Sequence, residues 1–161
     1  MSSESLFGKL SKEDYNRLKM SLAEVTVLIA GADGKIDEQE LNWAEKLTSI
    51  RSYATPEELN QFYGDVEESF IDNVNDLIKQ LPTDVAERQT CLSEELAKLN
   101  QILPLLENQL AFQIYESLTS FAEHIAKASG GFLRFGSISG AEKKWISLPM
   151  IDPIILEEED E

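Results

Sequence analysis

The chain has 161 residues, enough for one domain with a real core, and its 42% hydrophobic content argues against wholesale disorder. Thirty acids stand against 14 bases, a formal charge of −16; without the closing run EEEDE, 25 acids against 14 bases still leave −11. Such a surface repels phosphate backbones and anionic headgroups, so nucleic acid is not an expected partner, whereas cations and basic protein surfaces are.

Glycine (8) and proline (5) are too scarce for an all-β design with its many turns. Cys91 is the only cysteine, which rules out an internal disulfide and a thiolate metal site and fits a reducing compartment. The opening MSSESLFGKLSKED has neither the basic start nor the apolar stretch of a signal peptide, and no apolar run nears the roughly 18 residues of a membrane span. The expectation is a cytoplasmic protein that reaches a membrane, if at all, only through its partners.

Ser11 to Ala30 reads as the first helix. Tyr15, Leu18, Leu22, Val25 and Ile29 recur at steps of three and four, Ser11 is positioned to cap, and Gly31 ends it. After a loop over 31–36, Asp37 starts a second helix with Glu40 at the reciprocal capping-box position, and Leu41, Ala44 and Leu47 face inward. Thr55-Pro56-Glu57-Glu58 is a full start signal for a third, patterned through Leu59, Phe62, Tyr63, Val66, Phe70, Val74 and Ile78, with Gly64 a possible bend. Thr83 or Asp84 opens a fourth, expected to run to about Leu103 before Pro104. A long amphipathic stretch from about Leu105 to Ala128 follows, stopped by Gly130-Gly131, and Ser139 to Leu148 reads as a short closing helix. Phe132 to Phe135 reads as loop. The expected fold is all-α, a compact bundle of six to seven helices over residues 1–152, followed by an acidic C-terminal tail, 153–161.

Self-comparison adds an internal repeat. Val25, Leu28, Ile29 and Ala32 align with Ala122, Ile125, Ala126 and Ser129, and Gly34 with Gly131. After an insertion at 132–136, Lys35-Ile36-Asp37 aligns with Ser137-Ile138-Ser139, Glu40 with Glu142 and Trp43 with Trp145. The expectation is two pseudo-repeated helical hairpins.

The segment from Asp33 to Glu40 resembles the second half of a calcium-binding EF-hand loop, where an Asp-Gly bends the chain, an isoleucine anchors it and a terminal glutamate chelates. Asp33, Asp37 and Glu40 would supply three carboxylates. The first and third loop positions, Ile29 and Gly31, carry no side-chain oxygen, so a complete EF-hand is excluded and further ligands must come from elsewhere; pseudo-symmetry nominates Glu142. The same residues also read as plain capping boxes, Asp37 with Glu40 and Ser139 with Glu142. Both readings stand at this stage.

Ala32-Asp33-Gly34-Lys35-Ile36 followed by an acid-headed helix, given a second time in weaker form around Gly130-Gly131 to Glu142, resembles the TerB family of tellurite-resistance proteins. The resemblance implies an all-helical fold, a bacterial stress-response role and a carboxylate cluster that binds a divalent cation such as calcium. A related helical domain accompanies some J-domain co-chaperones, so a protein partner is also implied. The second copy lacks the Asp-Gly and carries the inserted loop, which departs from a symmetric two-site arrangement.

No catalytic constellation and no cofactor-binding motif accompanies these residues. His124, the sole histidine, has no Glu-x-x-His partner for a di-iron centre, and no phosphate-binding loop or nucleophile elbow occurs. The sequence therefore suggests a non-enzymatic protein with metal ligands Asp33, Asp37, Glu40 and Glu142. The alternative is a metal-free interaction or scaffold module using the Phe132–Phe135 loop and the acidic tail.

Overall fold

A computed structural model describes residues 7–32, 36, 38–54, 57–128 and 143–156. Its described residues are all-helical, with five α-helices and two short 3₁₀ turns. The helices are α1 (Lys12–Ala30), α2 (Glu38–Ala54), α3 (Glu57–Gln80), α4 (Val85–Ala97) and α5 (Asn108–Ala128).

Ser11 caps α1 as its position demands, its hydroxyl accepting from the Asp14 N–H at 3.0 Å. The stripe expected on α1 understates its burial. All ten residues from Ser21 to Ala30 are inside, because α2, α3, α4 and α5 all pack on this helix. A helix enclosed on every side must satisfy its polar groups locally: the Thr26 hydroxyl donates to the Leu22 carbonyl at 2.8 Å and Ser21 to that of Leu18.

Helix α3 follows its pattern closely, burying Leu59, Phe62, Tyr63, Val66, Phe70, Val74 and Leu77. Gly64 does not divide it, and α3 runs unbroken for 24 residues. It packs most extensively against α2 and next against α1. Aromatic rings link the layers, Phe7 and Tyr15 meeting Phe62, and Tyr63 and Phe70 meeting Phe121 of α5.

The fourth helix is shorter than its expected reach to Leu103. Asp84 caps it through the Glu87 N–H at 3.0 Å, and it stops at Ala97, giving way to 3₁₀ turns at Lys98–Gln101 and Leu103–Leu105. Pro104 has no N–H for the Asn100 carbonyl, and the tighter three-residue turn brings Leu99, Ile102, Leu103 and Leu106 all to the interior. Helix α5 consequently begins at Asn108 rather than Leu105, and its inner face is Leu110, Ile114, Leu118, Phe121 and Ile125, as the period required.

Residues 143–156 lie back along the bundle. Asn100 clamps them twice, its Nδ2 donating to the Met150 carbonyl at 3.0 Å and its Oδ1 accepting from the Asp152 N–H at 2.7 Å. Leu148 (φ 51°) is the only non-glycine residue with positive φ among the described residues, and its side chain is fully buried. Attachment continues past residue 152: Ile154 packs on the core and the Ile155 carbonyl accepts from Asn108.

The count of six to seven helices and the paired hairpins are not reproduced among the described residues. The helical halves of the repeat do match in burial, since Val25, Leu28, Ile29, Ala122, Ile125 and Ala126 are all inside. Beyond them the halves diverge. Trp43 rides on the 17-residue α2, whereas Trp145 sits in a turn whose carbonyl accepts from the Leu148 N–H. The inserted loop Phe132–Phe135 and the first four residues of the expected closing helix lie outside the described residues.

Candidate functional site

Of the four expected metal ligands, Asp33, Asp37 and Glu142 lie outside the described residues, and Glu40 is described. Glu40 is the third residue of α2 and its exposure is 0%, while its neighbours Glu38 and Gln39 are exposed. Glu40 interacts with another group of the chain, so its burial fits a capping glutamate as well as a chelating one. Burying a carboxylate completely is expensive unless donors or a cation compensate it. Ile36, the expected anchor of the loop, packs on the core. Among the described residues no three His, Cys, Asp or Glu side chains converge as a metal set.

The near end of the same loop is fixed by α4. The last carbonyls of a helix have no intrahelical donor. Here Gln89 Nε2 donates to the Leu28 carbonyl at 3.0 Å and Arg88 Nη2 to the Gly31 carbonyl at 2.8 Å. A guanidinium at a helix C-terminus is also favoured by the helix dipole. Both side chains are about 5% exposed. A Cβ on Gly31 would fall 2.6 Å from Arg88 Nη2, so this approach depends on glycine.

Further along the α1–α4 seam lies a charged cluster. Arg17 Nη2 pairs with Glu24 Oε1, Arg17 Nη1 reaches Glu95 Oε1 at 3.2 Å, and Lys98 Nζ holds Glu95 Oε2 at 2.9 Å. Glu24 is 2% exposed. Burial pushes its pKa from 4.5 up to about 7 against the lowering effect of Arg17, with Glu95 pushing the same way as burial. Close pairing with Arg17 would by itself hold the carboxylate ionised; desolvation outweighs it, which leaves Glu24 poised between its ionised and protonated forms near neutrality. A cavity of about 320 Å³ lined by Glu13, Asp14, Arg17, Lys98, Gln101 and Ile102 opens beside it.

A second polar centre joins α2, α3 and α5. Arg51 is 8% exposed and donates to Tyr63 Oη (3.0 Å), the Ser117 carbonyl (2.8 Å), Ser117 Oγ (3.1 Å) and Ser120 Oγ (2.6 Å). Its guanidinium lies 5.5 Å from the Tyr63 ring and 5.4 Å from that of Phe121. Partial desolvation and the Arg51 charge hold His124 below its ordinary pKa. A shallow groove of about 420 Å³ over Leu59, Phe112 and Ser120 has Arg51 in its wall. With its donors directed to neighbouring side chains and the Ser117 carbonyl, Arg51 works first as a staple between helices.

Glu24, Arg51, Arg88 and Gln89 were not singled out by sequence reasoning. One trace was available: Arg17 and Glu24 are seven residues apart, two turns on one helix face, with Glu24 at the head of the apolar run. Nothing local marks Arg51 or Arg88 as buried. No family model, curated protein or solved structure matches the chain.

Proposed function

We propose that the chain is a TerB-like, non-catalytic stress-response protein of the bacterial cytoplasm that binds a divalent cation, calcium first among candidates, through Asp33, Asp37, Glu40 and Glu142. The observation carrying this reading is the complete burial of Glu40 at the head of α2, the place from which a loop-ending glutamate chelates. Two further features support it. The Gly31 end of the loop is anchored by Arg88 and Gln89, which gives a ligand-bearing loop a rigid base. The charge of −16 favours cation capture.

The test is thermal denaturation with and without calcium. At a cation concentration 100 times Kd, linkage adds about 2.7 kcal/mol, which for a chain of this size raises Tm by roughly 5–11 °C. Asp33→Asn and Glu40→Gln should each abolish the rise. No shift at millimolar calcium in the unaltered protein overturns the proposal.

A metal-free interaction module is favoured by a different observation. Ile155 and Leu156 are 78% and 44% exposed, Leu105 is 46% exposed, and the acidic run 157–161 follows directly. An apolar pair leading into five acids suits a basic partner surface with an apolar cleft. Removing residues 155–161 should then weaken partner capture, with the acidic share of the loss shrinking as salt rises.

A further inference from the structure

Helix α4 is attached differently from the other helices. It packs chiefly on α1, whereas α2, α3 and α5 also pack on one another. Its apolar contribution is small, Leu92 and Leu96, and the rest of its grip is polar: Arg88 and Gln89 on the end of α1, and Glu95 on Arg17. The other acceptor of Arg17 is Glu24, buried on α1 itself. One guanidinium is thus shared by a carboxylate of its own helix and a carboxylate of the docked helix.

We infer that the α1–α4 seam is a proton-controlled joint, in which α4 sits firmly while Glu24 carries a proton and loosens when Glu24 gives it up. With a neutral Glu24, Arg17 is available to Glu95 and draws α4 onto α1. With an ionised Glu24, Arg17 serves Glu24 and Glu95 at once through separate nitrogens, and a second carboxylate charge is held buried at the seam. Withdrawal of α4 admits water to Glu24 and relieves the cost of a buried charge. The released proton goes to solvent, for which the cavity lined by Arg17 and Lys98 offers an exit. The charges acting on Glu24 are Arg17 from α1, Glu95 from α4 and Lys98 from the adjoining 3₁₀ turn; among the described residues, none from α2, α3 or α5 contributes.

The sign follows from linkage. In the docked state burial raises the Glu24 pKa from 4.5 to about 7, and in the undocked state it returns toward 4.5. Undocking therefore releases a proton between those values and is favoured as pH rises, levelling off above about 7. The largest possible effect on the opening equilibrium is roughly 300-fold. This inference is independent of the cation reading, and the test runs in chelator so that the two can fail separately.

Hydrogen exchange on the intact protein, expressed as protection factors at several pH values from 5 to 8, tests it. Amides of α4 (85–97) should exchange through an opening smaller than the one that exposes α3, and should lose protection by tenfold or more over this range. Glu24→Gln, a near-isosteric change, should flatten the α4 profile. Glu95→Gln, at a half-exposed position that folding tolerates, should move the midpoint to lower pH because it removes one of the influences holding the Glu24 proton. A flat α4 profile in the unaltered protein overturns the inference. So does α4 protection equal to that of α3 at every pH, which would make each opening global, or a midpoint indifferent to Glu95.

Discussion

Replacing Arg51 by methionine tests whether one side chain ties α2 to α3 and α5. Methionine retains much of the apolar stem and loses the guanidinium. The four contacts do not count as four full bonds, because the two hydrogens on Nη1 serve three acceptors. About three charge-assisted bonds, at roughly 1.5–3 kcal/mol each, are therefore lost. Two effects offset this loss. Removing a 92%-buried cation also removes its desolvation cost, and the hydroxyls left behind can pair, since Tyr63 Oη already meets Ser117 Oγ. A net loss of about 2–4 kcal/mol is expected, lowering Tm by roughly 4–16 °C. Arg51→Lys keeps the charge without the fork and should fall between the two. Urea denaturation of both variants, combined with Ser120→Ala in a double-mutant cycle, should give a coupling of about 1 kcal/mol or more. A methionine variant within about 0.5 kcal/mol of the unaltered protein, or additive behaviour with Ser120→Ala, would refute the staple.

Gly64→Ala should stabilise by about 0.5–1 kcal/mol, since the new methyl meets only Ser52 Cβ at 4.0 Å and a mid-helix glycine carries an entropic cost; a matching rise in the urea midpoint checks it. Gly31→Ala should push the Arg88 guanidinium off the α1 terminus and cost about 1–2 kcal/mol, with the loss shrinking in an Arg88→Ala background to what the 3.1 Å approach to the Val27 carbonyl leaves. Global stability should also carry the Glu24 signature. Below pH 4.5 folded and unfolded chains both hold this proton, between 4.5 and about 7 only the folded chain does, and the stability lost as pH climbs through that window approaches an upper limit of about 3 kcal/mol. Glu24→Gln should remove that falling limb from a plot of unfolding free energy against pH.

The candidate site was only partly legible in the letters. The run from Asp33 to Glu40 stands out because an Asp-Gly turn and a capped acidic helix are local chemistry, written within eight consecutive residues. That Glu40 lies wholly inside while Glu38 and Gln39 face water is set by the way α2 rotates against its neighbours, and adjacent letters do not encode it. Arg88 was invisible for a related reason: its acceptor, the Gly31 carbonyl, is 57 residues away and belongs to the backbone, so side-chain patterns do not record it. The aligned tryptophans mark the opposite hazard. Matching letters at matching spacings suggested matching hairpins, yet one indole stands on a long helix and the other in a turn.

By itself the sequence determined the helical character, the inward faces of α3 and α5, the cap at Ser11 and the start of α4 at Thr83 or Asp84, because each depends on residues within one or two turns of one another. Tertiary structure alone decided that α1 is enclosed on all sides from Ser21 to Ala30, that α4 yields to 3₁₀ turns near Ala97, and that Glu24, Arg51 and Arg88 are interior. Those outcomes depend on which helices meet and on how burial competes with pairing for each charge. That competition is resolved between segments up to 78 residues apart.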